Sequence, residues 1–323
     1  MAKARFAAAF ALALGLLQAQ DTQVVTLPAP PEGTAPKPAV HVIADAPTAG
    51  AARARGLLWK ATSATTTVYL AGSLHFGSPD MYPLPQEMES AFQESSVLVV
   101  EVDISAMSPT KALGLMATSG TYPPEDSLWN HVSERTRSLL PAFAAQHGLN
   151  ADVLARLRPW AVDFVLSAQM MQAAGMRPDL GIDMHFLGQA KGAKRIEALE
   201  TVDQQIRALA DVPDREHAQA LEEAVTNPGR ADQTLRTMKA AWIAGDASAL
   251  EALVADEFSK TPESRKRLLD ERNVRMTAGV ESYLKGGETC FVVVGGAHLI
   301  GKDGVVSRLA AKGYTVKRVV SAN

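Results

Sequence analysis

One cysteine, Cys290, stands in a chain of 323 residues. A single thiol forms no internal disulfide, so the fold must be held by a hydrophobic core. Cys290 opens an apolar run, where a small buried hydrophobe is the expected role and a reactive thiol the alternative. Aromatic residues are scarce at 6%, which argues against a stacking platform for single-stranded nucleic acid. An excess of either charge is missing as well. A formal net charge of −3 gives no electrostatic basis for nucleic acid or an anionic membrane surface as partner. Beyond the first twenty residues no run approaches the ~20 uninterrupted apolar residues of a membrane span. Several catalytic signatures are absent: H-E-x-x-H, the P-loop, a dinucleotide G-x-G-x-x-G after a strand, and a G-x-S-x-G nucleophile elbow.

What is present divides into three parts. Lys3 and Arg5 precede an apolar run over residues 6–17, followed by Gln18, Ala19 and Gln20. A basic start, about a dozen apolar residues and a small residue beyond them predict a cleaved signal peptide over 1–20, and hence a periplasmic or secreted protein. Residues 21–55 are rich in Pro, Ala and Thr, with Pro28, Pro30, Pro31, Pro36, Pro38 and Pro47 and no apolar period, and read as a disordered linker. The folded domain is expected over 56–321. Its composition, 47% hydrophobic and 21% charged, is that of an ordinary globular protein.

Within the domain, 57–61 and 66–70 predict paired strands joined by a small polar turn. A helix follows over 85–96, and then Val97, Leu98, Val99, Val100, Glu101, Val102 and Asp103 form a near-continuous apolar run, the pattern of a strand buried on both faces. The middle of the chain shows three- and four-residue apolar spacing over 134–147, 159–175 and 181–192, and again, with more charge, from 201 to 285. Residues 195–200 are a short strand candidate. A strand over 289–294, a helix over 304–312 and a strand over 314–320 close the chain. The expected fold is α/β (α+β): a central, mostly parallel sheet built from two βαβ halves, with a large helical insertion over about 105–285.

Two strand ends share one frame. Gly72, Ser73, Leu74 and His75 follow one apolar run, and Gly295, Gly296, Ala297 and His298 follow another. Functional groups in open α/β sheets collect at the carboxyl ends of strands. If the two strands are neighbours, both imidazoles face one cleft. Glu101 is the third candidate, since a carboxylate in so apolar a run is costly without a partner. Two histidines and one carboxylate suit a first-row divalent ion with open positions for water and substrate. The alternative is a metal-free cluster in which histidine and glutamate move protons directly. Arg272 is placed to pair with Glu101 or to stabilise an oxyanion. Asp183, Glu200 and Asn273 are polar residues at element ends whose roles stay open. Asp183 reads equally as a helix cap and His185 as a helix-face residue. His41, His131, His147 and His217 lie in polar or linker context and read as non-functional.

Taken in order, these residues resemble the TraB/PrgY/GumN family, in its bacterial GumN-like branch. The resemblance rests on Gly72 to His75 after the strand bearing Trp59, on Val99 to Asp103, and on Leu157, Arg158, Pro159 and Trp160. It continues through Gly181, Ile182 and Asp183, through Leu199, Glu200 and Thr201 with Gln204 or Gln205, through Glu271, Arg272 and Asn273, and ends on Gly295 to His298. The family is related to the Tiki metalloproteases and, more distantly, to erythromycin esterases and ChaN-like haem-binding proteins. The resemblance implies an exported, peptidase-like hydrolase using a divalent ion (Mn, Co or Zn). His75, His298 and Glu101 would be the metal ligands, and Glu101 and Arg272 the catalytic groups. Its partner would be a peptide or small-molecule substrate. It equally admits a non-catalytic protein that captures a peptide, haem or polysaccharide fragment in the same cleft, and a metal-free esterase.

Overall fold

The computed structural model describes residues 54–104 and 109–320. The expected signal peptide and nearly all of the linker lie outside the described residues, as does His41.

The described chain opens on a hairpin. Strands β1 (Leu57–Thr62) and β2 (Thr67–Ser73) pair antiparallel. Their turn is closed by Ser63, whose hydroxyl accepts from the amides of Thr65 and Thr66. Helix α1 (Gln86–Glu94) crosses to β3 (Val97–Val100). The longer helices that follow are α2 (Pro109–Ser119), α3 (Glu134–Gln146), α4 (Pro159–Ala173) and α5 (Ile182–Ala190). Strand β4 (Arg195–Ala198) returns to the sheet. Then come α6 (Val202–Ala210), α7 (Asp214–Thr226), α8 (Pro228–Ala244), α9 (Ala247–Glu257) and α10 (Glu271–Leu284). The chain ends on β5 (Cys290–Gly295), the one-turn helix Gly296–Leu299, α11 (Val305–Ala311) and β6 (Thr315–Arg318).

The strand order is β4-β3-β5-β2-β1-β6. β4, β3, β5 and β2 are parallel neighbours, while β1 is antiparallel to both β2 and β6. Five strands therefore run one way and β1 alone runs the other. The mostly parallel sheet expected from the sequence is present, with one difference in how the halves join. β6 does not sit beside β5; it enters beyond β1, at the far edge. β5 in turn inserts between β2 and β3. The β2–β5 register pairs Ser73 with Gly295, so the two glycine–histidine ends leave the sheet side by side.

β3 and β5 are buried at every residue, and β2 at all but its first. This is why their sequences are continuous apolar runs rather than alternations. Cys290 is buried at 1% exposure, and burial, with Glu288 beside it, pushes its thiol up to about 11. It is a packing residue at neutral pH.

Two hydrophobic cores are formed. One surrounds the sheet and includes Leu74, Val100 and Leu299. The other lies within the helical insertion and includes Phe76 and Val102, with Ala297 packed against it. His75 lies between Leu74 and Phe76, Glu101 between Val100 and Val102, and His298 between Ala297 and Leu299. Each polar side chain thus emerges where the backbone passes from one core to the other. A polar group at such a seam escapes full immersion in either apolar mass, which lowers the cost of keeping it.

Candidate functional site

Strand β3 ends at Val100, so Glu101 is the first residue past the sheet rather than a member of the strand. Glu101 is 7% exposed, and its carboxylate carries three hydrogen bonds and faces two imidazoles. Oε1 accepts from the Gly295 amide at 2.5 Å. Oε2 accepts from Arg272 Nη2 at 2.9 Å and from Gln205 Nε2 at 3.1 Å. Oε1 also faces both imidazoles, lying 3.7 Å from His298 Nε2 and 4.0 Å from His75 Nε2. The two Nε2 atoms are therefore no farther apart than the sum of those distances. Burial works to raise the Glu101 pKa. His298, Arg272, His75 and the Gly295 amide outweigh it and bring the carboxyl down to about 2.

His298 is fully buried. Its Nδ1 meets Asn273 Oδ1 at 2.7 Å, and Asn273 Nδ2 donates to the Asp303 carbonyl at 3.0 Å. The second bond orients the amide, so Oδ1 is the acceptor and His298 Nδ1 carries the proton. Nε2 then presents a lone pair. It has no hydrogen-bond partner. Burial first, then the Arg272 charge, push this imidazole down to about 3, so it is neutral at neutral pH, where Arg272, His75 and the Gly295 amide hold Glu101 ionised.

His75 is the accessible member, its side chain 12% exposed. Nδ1 meets Asp183 Oδ2 at 3.2 Å, and Asp183 Oδ1 accepts from the Ser73 hydroxyl at 2.7 Å. A carboxylate only accepts, so it holds the His75 proton on Nδ1 and leaves Nε2 toward Glu101. Burial lowers the His75 pKa, but Asp183 and then Glu101 outweigh it and the pKa is raised. Asp183 is delivered by the start of α5. The amide of Ile182 donates to the Leu74 carbonyl at 3.1 Å, and a Cβ on Gly181 would stand 2.3 Å from the His75 carbonyl oxygen. Only glycine allows that approach. Asp183 therefore orients a site histidine instead of capping a helix.

Arg272 is the third buried charge, 1% exposed. It donates to Glu101, through Nε at 2.9 Å to Glu200 Oε2, and through Nη1 at 3.3 Å to the Leu268 carbonyl. Leu268 lies in a π-helical turn, Lys266–Asp270, that leads into α10. Glu200 is 3% exposed and also accepts from Arg275. Of the two roles expected for Arg272, the geometry favours pairing with Glu101. Each guanidinium nitrogen is engaged with protein. Taking such charges out of water costs several kcal/mol per ion, which the mutual pairing of Glu101, Arg272 and Glu200 offsets.

The remaining histidines stand apart. His185 pairs with Glu89 at 2.7 Å, and His131 with Asp126 while stacking on Tyr122. His147 bonds the Phe143 carbonyl, and His217 the Leu209 carbonyl. Sequence reasoning did not find the Ser73 hydroxyl, the Arg275 pairing or the Gly295 amide as site groups. Arg275 had a usable signal, lying three residues from Arg272 on one helix face.

In donor type, two imidazoles and a carboxylate suit a divalent ion. Both imidazoles present Nε2 with Nδ1 tied to an oxygen acceptor, the arrangement that orients metal-binding histidines. His298 Nε2 is buried and unpartnered. The three groups converge on bare backbone, for a Cβ on Gly295 would lie 3.1 Å from Glu101 Oε1, 3.3 Å from His75 Nε2 and 3.6 Å from His298 Cδ2. The separations are wider than the roughly 3.0–3.4 Å between donors bonded at ~2.1 Å, and among the described residues no three His, Cys, Asp or Glu side chains are already drawn into such a shell.

A six-stranded sheet with two histidine-bearing strand ends and a buried Glu–Arg–Glu cluster defines the class of protein, and comparison gives its family. The chain belongs to the TraB/PrgY/gumN family, whose model matches residues 57–318. It is similar to the uncharacterized protein YbaP of Escherichia coli K12 and to that of Shigella flexneri. Each is 26% identical over 242 residues, covering 75% of this chain and 87% of theirs. No solved structure matches it. Among the described residues no helix is long and apolar enough to cross a membrane.

Proposed function

We propose that this chain is an exported hydrolase acting on peptide bonds with a divalent ion such as Mn²⁺, Co²⁺ or Zn²⁺. The observation that carries the reading is His298 Nε2, a buried lone pair with no partner, aimed at a carboxylate oxygen 3.7 Å away. A buried acceptor left unmatched costs about 1–3 kcal/mol, and a cation between it and Glu101 would remove that cost. His75, His298 and Glu101 would hold the ion. When bound, such an ion supplies Lewis acidity to a carbonyl and lowers the pKa of water. Glu101 contributes through Oε1, because Oε2 is consumed by Arg272 and Gln205. Arg272 keeps Glu101 ionised and in place. Asp183 and Asn273 hold the two imidazoles in the tautomer that offers Nε2. His75, the least buried of the three, is where substrate would meet the site. The basic and apolar leader over residues 1–20 supports export.

The test is metal analysis of the purified mature protein together with peptide hydrolysis before and after chelation. Bound metal that is lost in His298→Ala, with hydrolysis that follows the metal, supports the reading. Equal metal in wild type and His298→Ala overturns the site. The wide donor spacing favours one second reading, a metal-free esterase in which Glu101 and the imidazoles relay protons. Hydrolysis untouched by chelator would select it. Tight peptide capture without turnover, surviving Glu101→Gln, would mark a binding protein instead.

A further inference from the structure

His75 lines two cavities at once. One is a small space bounded by Glu101, Asp183, Leu187 and Val293. The other is a cleft of about 680 Å³ including its open mouth, walled by Leu74, Phe76, Met171, Met238, Val254 and Ile300. The smaller space holds the polar groups of the site; the larger is apolar. Among the described residues no lysine or arginine lines the larger cleft, and Glu257 is the one carboxylate that does. Anionic side chains are therefore disfavoured there, and apolar ones gain by leaving water. Met171, Met176 and Met238 all contribute, and methionine side chains re-pack around guests of differing shape. Beside His75 the cleft is lined by Ser73, Gly295, Gly296 and Ala297, whose side chains are all small.

An apolar cleft that meets a few convergent polar groups, here at His75, is the usual form of a small-ligand site. We infer that this cleft receives one apolar side chain, of leucine or methionine size, from a peptide lying across His75. The inference deepens the hydrolase reading and rests on it for the presence of a peptide. It makes the protein selective for peptides with an aliphatic residue beside the bond presented to His75 and Glu101.

The test uses the mature protein and a series of N-acetyl dipeptide amides that differ at one position: Leu, Met, Ala, Lys or Glu. Binding is read by calorimetry and hydrolysis by product analysis, each with Mn²⁺, Co²⁺ or Zn²⁺ present. Leu and Met peptides are expected to bind at least tenfold more tightly than Ala, Lys and Glu peptides. Met238→Trp, at a partly exposed position on the cleft wall, should bring the Leu peptide down to the level of the Ala peptide. The wild-type series decides the matter even where that variant fails to fold. Equal binding across the series overturns the pocket. Octanoate bound in preference to the Leu peptide overturns the peptide side chain in favour of an acyl chain. Leucine-selective binding without turnover under any metal overturns the hydrolase reading alone. Turnover without selectivity overturns the pocket alone, and neither binding nor turnover of any peptide overturns both.

Discussion

His298 Nδ1 lies 2.7 Å from Asn273 Oδ1, and this contact decides which face of a buried imidazole looks at Glu101. Asn273 is itself held by the Asp303 carbonyl, so the chain of three residues leaves His298 no other tautomer without losing a hydrogen bond. The lone pair on Nε2 is a property of α10 and the loop before α11 as much as of the histidine.

Asn273→Ala should therefore act on His298. The orphaned Nδ1–H costs about 1–3 kcal/mol of stability, and metal affinity should fall by roughly 10–100-fold, the usual effect of removing a residue that orients a ligand. Asn273→Asp, which keeps an acceptor, should retain most of the affinity. Denaturant titration and metal titration of the three proteins check this, and equal affinity in wild type and Asn273→Ala would contradict it.

Arg272→Met leaves Glu101 without its cation and Glu200 with Arg275 alone. Breaking a buried ion cluster this way costs about 3–5 kcal/mol, which for a domain of this size lowers Tm by roughly 10 °C or more. Adding Glu101→Gln and Glu200→Gln to Arg272→Met should recover part of that loss, because the uncompensated charges are gone. Thermal unfolding of the single and triple variants separates a charge effect from simple loss of packing, for which the triple variant would be the worse of the two.

Acid should unfold the apo protein through two groups of the site. Glu101 falls to about 2 in the folded state, so the unfolded chain binds its proton first. The stabilisation is whole above the ordinary carboxylate range and is lost as pH drops toward 2. His298 falls to about 3, so its contribution is whole above about 6.5 and is likewise lost as pH drops toward 3. Together they amount to several kcal/mol at the order-of-magnitude level. His75 works in the opposite sense: its raised pKa favours the fold below about 6.5 and that share is lost as pH rises through the folded value. Stability measured from pH 7 to pH 3 should fall in wild type, and less steeply in Glu101→Gln.

Gly295→Ala tests the convergence of the three donors without replacing any of them. The backbone at Gly295, φ −50° and ψ 132°, suits alanine, so the cost is one of space alone. The added methyl would press on Glu101 Oε1 at 3.1 Å and His75 Nε2 at 3.3 Å. Stability should change by about 1 kcal/mol or less, while metal affinity and hydrolysis fall at least tenfold. A variant as active as wild type would show that the space between the donors is not used.

Much of this was legible before the tertiary structure. Continuous apolar runs marked β2, β3 and β5 because strands buried on both faces need no polar alternation. Glycine followed three residues later by histidine marked both strand ends, and a carboxylate after four apolar residues marked Glu101. The same local reading left Asp183 balanced between a cap and a site residue. It also left Arg272 between two roles and passed over the hydroxyl of Ser73. Each of these depends on a partner far along the chain. Asp183 meets Ser73 and His75 across more than a hundred residues, Gln205 reaches Glu101 from α6, and Arg272 reaches it from α10.

The sequence by itself determined which segments are buried and which polar residues stand at their ends, because burial is written in the local apolar period. Only the tertiary structure decided the strand order. By inserting β5 between β2 and β3, it placed His75, Glu101 and His298 at one seam between two cores. It also decided the protonation and orientation of each imidazole. Those are set by hydrogen bonds to residues distant in sequence, and a contact of that kind leaves no periodicity behind for a single chain to show.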